Sequence, residues 1–309
     1  MKRFDPQGRV DQLSEYVTSV HGRRNAGGDE RVAVCIDCHG VHGIRPVSDP
    51  RASVHPTNLA ETCARCHSRE DLMGAYRIGA TQYAEYRSSV HAQALYEKGD
   101  TSAPTCNDCH GSHGAVPPGV QSVANVCGSC HGREATLFRE IEAKRGLDLE
   151  PCIQCVMCHG NHAVLPPRQE MLGVGEGSTC TGCHAAGDAG YKAAEQMAAM
   201  MGQLRTGLRE AHEGLDRAER AGVEVGPDKF ALQKATDSLV EARVLVHSFD
   251  LERFDRVAAE GIATATEGSA AAGRAFLELR HRRTGLALSL IVIAAVVAAL
   301  ALTIRRIER

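Results

Sequence analysis

The C-terminal part of the chain carries the most regular pattern of apolar positions. Met197, Met201, Leu204, Leu208, Ala211, Leu215 and Ala218 step by four and three residues, the seam of a helix packed against a partner. The run stops at Gly222, and Gly226-Pro227-Asp228 marks a turn with a helix start behind it. Leu232, Ala235, Leu239, Ala242, Val246 and Phe249 form a matching seam. Residues 191–283 are therefore expected to form a long antiparallel helical hairpin. Val240, Val244, His247, Leu251 and Phe254 make a second apolar line on the second helix, so His247 faces whatever packs there. Gly285 to Ile304 then run without a charge, bracketed by Arg282-Arg283 and Arg305-Arg306. A segment of this length and polarity spans a bilayer. It predicts a transmembrane helix over 284–305 and a short tail at 306–309.

Residues 1–190 show no such period. What repeats there is Cys-x-x-Cys-His, six times: Cys35/Cys38/His39, Cys63/Cys66/His67, Cys106/Cys109/His110, Cys127/Cys130/His131, Cys155/Cys158/His159 and Cys180/Cys183/His184. Each reads as an attachment site for haem c. The two thiols add to the haem vinyl groups, and the adjacent His becomes the proximal iron ligand. Zinc sites use paired CxxC without a His after each second Cys, and a disulfide scaffold has no use for that His either. Twelve of the thirteen cysteines are accounted for. Cys152 is left as a spare thiol. No Fe–S spacing follows it, because no fourth Cys lies three residues beyond Cys158.

Nine further histidines remain. Three stand in a CHGxH frame: His42, His113 and His162. Three stand in Ser-Val-His: His21, His55 and His91. A His three residues after a proximal ligand is too close to reach the far face of the same iron, but it can serve a neighbouring haem. These six are the expected distal ligands, closing all six irons. His247 is the alternative to His55, since the corresponding stretch of the second repeat has no His. Met73, Met157 and Met171 are present, but no motif singles one out. His212 and His281 are expected to be solvated.

The motifs are arranged as internal repeats. Tyr16-Val-Thr-Ser-Val-His21 returns as Tyr86-Arg-Ser-Ser-Val-His91. CIDCHGVHG at Cys35 returns as CNDCHGSHG at Cys106 and, degenerately, as CVMCHGNHA at Cys155. Each copy closes with a second CxxCH, giving three two-haem units, the third without Ser-Val-His. Linear repetition favours an extended chain of sites over a closed globule. Pro117-Pro118-Gly119 and Pro166-Pro167 read as loops. In these motifs residues 14–184 resemble the multihaem cytochrome c superfamily, in its doubled-CxxCH, c3/c7-like and c554-like branches. The resemblance implies haems with two axial histidines, packed closely enough for electrons to pass between them. The family's small quinol-dehydrogenase branch has an N-terminal anchor, whereas the anchor here is C-terminal.

The expected fold is mostly α with much irregular loop. A six-haem domain (1–190) is followed by the hairpin (191–283) and the membrane helix. The absence of Trp and the 4% aromatic content suit an interior filled by porphyrin. A net charge of −3 and the lack of a basic tract give no ground for nucleic-acid binding. Haem c is attached outside the cytoplasm, so the haem domain is expected to be periplasmic, on a bacterial inner membrane. Met1-Lys-Arg-Phe-Asp-Pro-Gln-Gly has no apolar run behind its basic start, so the export signal is expected to precede this start. The expected function is a tethered hexahaem conduit between a quinol-linked membrane donor and extracytoplasmic acceptors. Its expected partners are redox proteins or a quinol-oxidising complex, and an oligomer is compatible with the sequence. The alternative is a reductase or oxidase of a small nitrogen or sulfur compound with one open haem. A third reading, overlapping the first, is a subunit of a larger respiratory or photosynthetic complex, docked through the hairpin.

Overall fold

The computed structural model describes residues 10–114, 123–145 and 154–308. Cys152, the Pro117-Pro118-Gly119 loop and the basic start at Met1 lie outside them. Among the described residues the fold is mostly helical and has no strand. The chain divides into two compact units, Met1–Arg168 and Gln169–Arg309. Five CxxCH motifs lie in the first and the sixth lies in the second.

The first unit is a succession of short helices: α1 (Gln12–Thr18), α2 (Val20–Ala26), α3 (Cys35–His39), α4 (Pro56–His67), α5 (Glu70–Met73), α6 (Gln82–Arg87), α7 (Val90–Glu97), α8 (Cys106–His110), α9 (Gly132–Arg145) and α10 (Cys155–His159). The Ser-Val-His elements owe their shape to capping. Ser19 Oγ accepts from the Gly22 N–H at 2.9 Å to start α2, and Ser89 Oγ accepts from the Ala92 N–H at 3.1 Å to start α7. The repeat tyrosines tie these elements to the motifs that follow. Tyr16 donates to the Ala33 carbonyl at 2.9 Å, and Tyr86 to the Pro104 carbonyl at 3.0 Å. Three CxxCH motifs are themselves helices, α3, α8 and α10, of five residues each. Asp37 and Asp108 each accept from the backbone N–H of the residue before the helix, both at 2.7 Å. Each helix ends at the Gly of CHG, where φ is 78° at Gly40, 83° at Gly111 and 75° at Gly160. Only Gly takes that conformation without strain, which accounts for its place after each of these histidines. None of the three helices buries any of its own residues. Among the described residues the buried apolar positions of this unit include a cluster of Ala60, Tyr86 and Ala92 edged by Tyr83, Tyr96 and Cys106, together with Met73 and Leu95.

The second unit is a three-helix bundle of α11 (Ala189–Arg220), α12 (Gly226–Leu245) and α13 (Leu251–Ile307). Every member of the first seam, from Met197 to Ala218, is buried. Two helices were expected here, and the third arises from a break that the 4,3 spacing runs across. Val246–Ser248 tighten into a 3₁₀ turn, Phe249 takes φ 44°, and Asp250 caps a new helix by accepting from the Arg253 N–H at 3.1 Å. Leu251 and Phe254 therefore belong to α13, where Phe254 is fully buried. Small residues let α13 lie close to its neighbours. A Cβ added at Gly261 would sit 2.7 Å from Ser238 Cβ on α12 and 2.9 Å from Leu204 Cδ1 on α11. On α11, a Cβ at Gly214 would sit 2.8 Å from Ala272 Cβ. Beyond the bundle α13 continues as a wholly exposed apolar stretch of mean hydropathy 2.8. By length and composition this helix can cross a membrane.

Candidate functional site

The chemistry-bearing residues of the first unit form an ordered row. α4 carries the second motif and packs on α8, which carries the third. The 3₁₀ turn Val123–Ser129 carries Cys127 of the fourth motif, and it packs on both α8 and α10. Thiols mark the same order. Cys63 donates to Cys106 and Cys127 to Cys155, so the closing motif of one repeat meets the opening motif of the next. Donation and burial push the Cys63 and Cys127 thiols well up, while acceptance from Cys127 holds Cys155 down to about 6.

The sequence expectation treats the twelve attachment cysteines alike, and the structure does not. Cys66, Cys130 and Cys183, the second cysteines of the three closing motifs, take no part in these thiol hydrogen bonds. Their place in the backbone accounts for the difference. Cys66 is half-buried in the last turn of α4. Cys130 and Cys183 each come directly after a 3₁₀ turn and are exposed. Their N–H groups donate back to the Cys127 and Cys180 carbonyls, both at 3.2 Å, which sets the two closing motifs in one local shape. Cys66 and Cys130 still lie near the opening motif of their own repeat. Burial and the adjacent Asp37 raise the Cys38 thiol, with a small contribution from Cys66. Burial and Asp108 likewise raise Cys109, with a small contribution from Cys130. Cys66, Cys130 and Cys183 are thus singled out by their motif, not by their surroundings.

Histidine rings come together in twos. His39 faces His113 with ring centres 6.1 Å apart, and His110 faces His162 at 6.1 Å. His67 faces His21 at 6.1 Å, and His131 faces His91 at 6.4 Å. Each pair joins a CxxCH histidine to one from the other two frames, and two rules cover all four. The CHGxH histidine of one repeat lies over the opening CxxCH histidine of the repeat before it. The Ser-Val-His histidine lies over the closing CxxCH histidine of its own repeat. The two kinds differ in ring orientation. The CHGxH pairs are near parallel, at 12° and 22°, and the Ser-Val-His pairs are tilted, at 52° and 45°.

The spacing is informative. A metal–imidazole bond is about 2 Å and a ring centre lies about 1.1 Å behind its nitrogen, so two imidazoles on opposite faces of one metal have centres about 6.2 Å apart. The observed pairs match this. Desolvation pulls the pKa of His21, His67, His91 and His110 below the ordinary value, helped in three of them by a facing imidazole. These rings are held neutral, the form that offers a lone pair to a metal. Among the described residues no group of three or more His, Cys, Asp or Glu side chains gathers as a metal-ion cage.

Carboxylates stand behind several of these rings. Glu15 Oε2 lies 3.9 Å from His113 Nδ1, and Glu85 Oε2 lies 3.6 Å from His162 Nδ1. Glu15 and Glu85 occupy the same repeat position, each directly before the repeat tyrosine. In the second unit Asp188 Oδ1 lies 3.3 Å from His184 Nδ1, while the same side chain caps α11 by accepting from the Tyr191 N–H at 2.7 Å. These bonds depress the Asp188 pKa, the largest contribution coming from the Tyr191 amide. Gly190 makes room for the ring, since a Cβ there would sit 2.0 Å from His184 Cε1. A carboxylate within hydrogen-bond reach of Nδ1, as Asp188 is at His184, fixes the ring plane and leaves the lone pair on Nε2.

Compared with known protein families, with curated proteins and with solved structures, the chain shows no match.

The remaining expected site residues are placed as follows. His55 caps α4, its Nδ1 accepting from the Thr57 N–H at 3.3 Å, and it is in none of the four ring pairs. His42 is exposed and is also in none of them. His247 Nδ1 lies 3.0 Å from the Val244 carbonyl. Cys35 and Cys158 are exposed. His159 ends α10, and His184 follows Cys183 after the 3₁₀ turn Cys180–Gly182. Met73 is buried and Met157 exposed. Sequence reasoning missed Glu15, Glu85 and Asp188. The signal for the first two was present, because the repeat element is Glu-Tyr-x-x-Ser-Val-His rather than the shorter form beginning at Tyr.

Proposed function

We propose that this protein is a membrane-tethered hexahaem c-type cytochrome carrying electrons between a quinol-linked membrane donor and extracytoplasmic acceptors. The observation that carries the reading is the set of four histidine pairs at 6.1–6.4 Å, each containing one CxxCH histidine. The donor set fits the group, with two thiols that would attach it covalently and two facing imidazoles that would hold the iron. Haem c, when bound, supplies a reversible one-electron couple.

The chain's own residues do the rest. The thiols hold each group irreversibly at its place in the row. The paired imidazoles would hold the iron between them, and a site filled in this way would suit electron transfer rather than substrate binding. Glu15 and Glu85 place a negative charge near His113 and His162, at 3.9 and 3.6 Å. The short helices of five residues bring successive motifs next to one another with little polypeptide between them. The exposed apolar part of α13 supplies the tether, and covalent haem attachment outside the cytoplasm puts the motifs on the periplasmic side of a bacterial inner membrane.

One observation favours the second reading, a reductase or oxidase of a small nitrogen or sulfur compound. His184 has a carboxylate at Nδ1 but is in no ring pair among the described residues, and its side chain is 47% exposed. A group held at the sixth site would therefore be reachable by a small molecule. Intact-mass spectrometry of the chain made in a host that matures c-type cytochromes tests the shared premise. Six covalent haem masses are expected, and a chain without haem refutes both readings. Carbon monoxide then separates them: no binding by the reduced protein supports the conduit, and binding at one haem supports the enzyme.

A further inference from the structure

The sixth motif and the apolar stretch of α13 belong to the same unit, at opposite ends of one bundle. The His184 ring lies against Gly190 in the first turn of α11, where an added Cβ would sit 2.0 Å from Cε1. α11 runs parallel to α13 and keeps register with it, Gly207 facing Ala265 and Gly214 facing Ala272. Gly190 precedes Gly207 by 17 residues, and Gly285 follows Ala265 by 20. At a rise of about 1.5 Å per residue, the His184 ring and the start of the apolar stretch are about 55 Å apart along the bundle. α13 is one unbroken helix over its part of that distance and contains no proline. Val223 and Val225, in the loop after α11, share a buried cluster with Ala275, and Leu279 packs against it. Only residues 280–284 therefore separate the bundle from the stretch. The sides of the bundle carry ion pairs along their length: Lys229 with Asp216 and Glu219, Lys234 with Glu260, and Arg274 with Glu267. A bundle lying along a bilayer would need an apolar outer face instead.

We propose that the bundle is a stalk standing the sixth site clear of the bilayer, and that this site exchanges electrons with a water-soluble redox protein. The inference rests on the haem reading above and on α13 crossing the membrane. A membrane helix tilts by up to about 40°, which still leaves roughly 40 Å between His184 and the bilayer surface. The hydrocarbon core itself is only about 30 Å thick. A quinol dissolved in the bilayer keeps its ring there, and electron tunnelling falls off exponentially with distance, so the sixth site is out of its reach. A small globular protein fits into the gap, since a domain of about 100 residues is roughly 35 Å across. A small soluble reactant would need no such clearance. The His184 side chain is 47% exposed, which opens the site to a partner from the aqueous side.

The test uses the full-length, haem-loaded protein in lipid nanodiscs, with Lys192→Cys or Arg220→Cys in a Cys152→Ser background. Lys192 and Arg220 are exposed, in the first and last turns of α11. A gadolinium chelate on either new cysteine is measured against gadolinium-chelate lipids by double electron–electron resonance. Dithionite reduction silences low-spin iron beforehand. The Lys192→Cys label is expected about 40–50 Å from the nearest lipid and the Arg220→Cys label within about 20 Å. Two equally short distances mean a bundle lying flat and overturn the proposal. Streptavidin bound to biotin on Lys192→Cys should slow oxidation of the reduced protein by soluble cytochrome c several-fold, whereas on Arg220→Cys it should not. Equal rates overturn the proposed partner. Intact mass is recorded first, and a chain without covalent haem overturns the haem reading itself, whatever the labels show.

Discussion

Gly261→Ala in the bundle is a substitution whose sign can be worked out from the structure. Alanine gains about 1 kcal/mol over glycine in a helix interior. Against this, the new Cβ would lie 2.7 Å from Ser238 Cβ and 2.9 and 3.0 Å from the two methyl groups of Leu204. Leu204 is fully buried, and Ser238 Cβ is bonded directly to the α12 backbone, so relief requires α12 to move outward. Overpacking of this kind costs about 1–3 kcal/mol. Gly273 lies on the same helix with nothing within 4 Å of an added Cβ. Gly273→Ala therefore takes the propensity gain alone, and the difference between the two variants isolates the packing cost. That difference is expected to be about 2 kcal/mol, or roughly 4–8 °C in melting temperature, with Gly261→Ala below wild type and Gly273→Ala above it. Thermal melts followed by far-ultraviolet circular dichroism, on haem-loaded protein in detergent, read it directly. If the two variants melt together, the close approach of α11, α12 and α13 at Gly261 is wrong.

Glu85→Gln removes the carboxylate behind His162 and should raise the midpoint potential of one haem. The pair is partly exposed, so the shift is at most roughly 20–40 mV, read by a spectroelectrochemical titration in which the other potentials stay fixed. Asp188→Asn keeps a good helix cap but loses the charge at His184 Nδ1. It should shift the spectrum of the sixth haem with little change in melting temperature, whereas Asp188→Ala should also cost about 1 kcal/mol of stability. Asp255 is raised above the ordinary aspartate range by burial, and its Oδ1 has no hydrogen-bond partner among the described residues. The folded chain thus holds a proton that the unfolded chain has lost. The stabilisation is present at low pH and is lost as pH rises from the ordinary aspartate value through the raised one. Asp255→Asn should flatten that part of the stability profile, and an unchanged slope in denaturant titrations at several pH values would refute the assignment.

The bundle's first seam was legible in the sequence as a local period and is buried from Met197 to Ala218, and the CxxCH motifs are a local pattern of the same kind. The differing surroundings of their thiols were not, since the thiol contact between Cys63 and Cys106 joins motifs far apart in the chain while Cys66 beside it is left out. The pairing of rings was hidden for the same reason. The CHGxH spacing keeps His113 from facing His110 of its own motif, but only the tertiary arrangement puts it over His39 rather than another motif histidine. The third helix was hidden by coincidence. The apolar line from Val240 to Phe254 keeps its 4,3 step across Val246–Ser248, where the chain leaves the helix and turns at Phe249. His55 shows the opposite failure. It shares Ser-Val-His with His21 and His91, but Pro56 follows it and opens α4, and the imidazole takes the capping role that serine takes in α2 and α7.

Electron paramagnetic resonance of the fully oxidised, six-haem protein tests the central claim most directly. Paired imidazoles give low-spin iron, and the angle between the two ring planes sets the anisotropy of the signal. The account predicts at least four low-spin haems with two histidine ligands, in two classes. A near-parallel class should be lost one haem at a time in His113→Ala and His162→Ala, and a tilted class in His21→Ala and His91→Ala. Fewer than four such haems, or signals that survive all four substitutions, would contradict it.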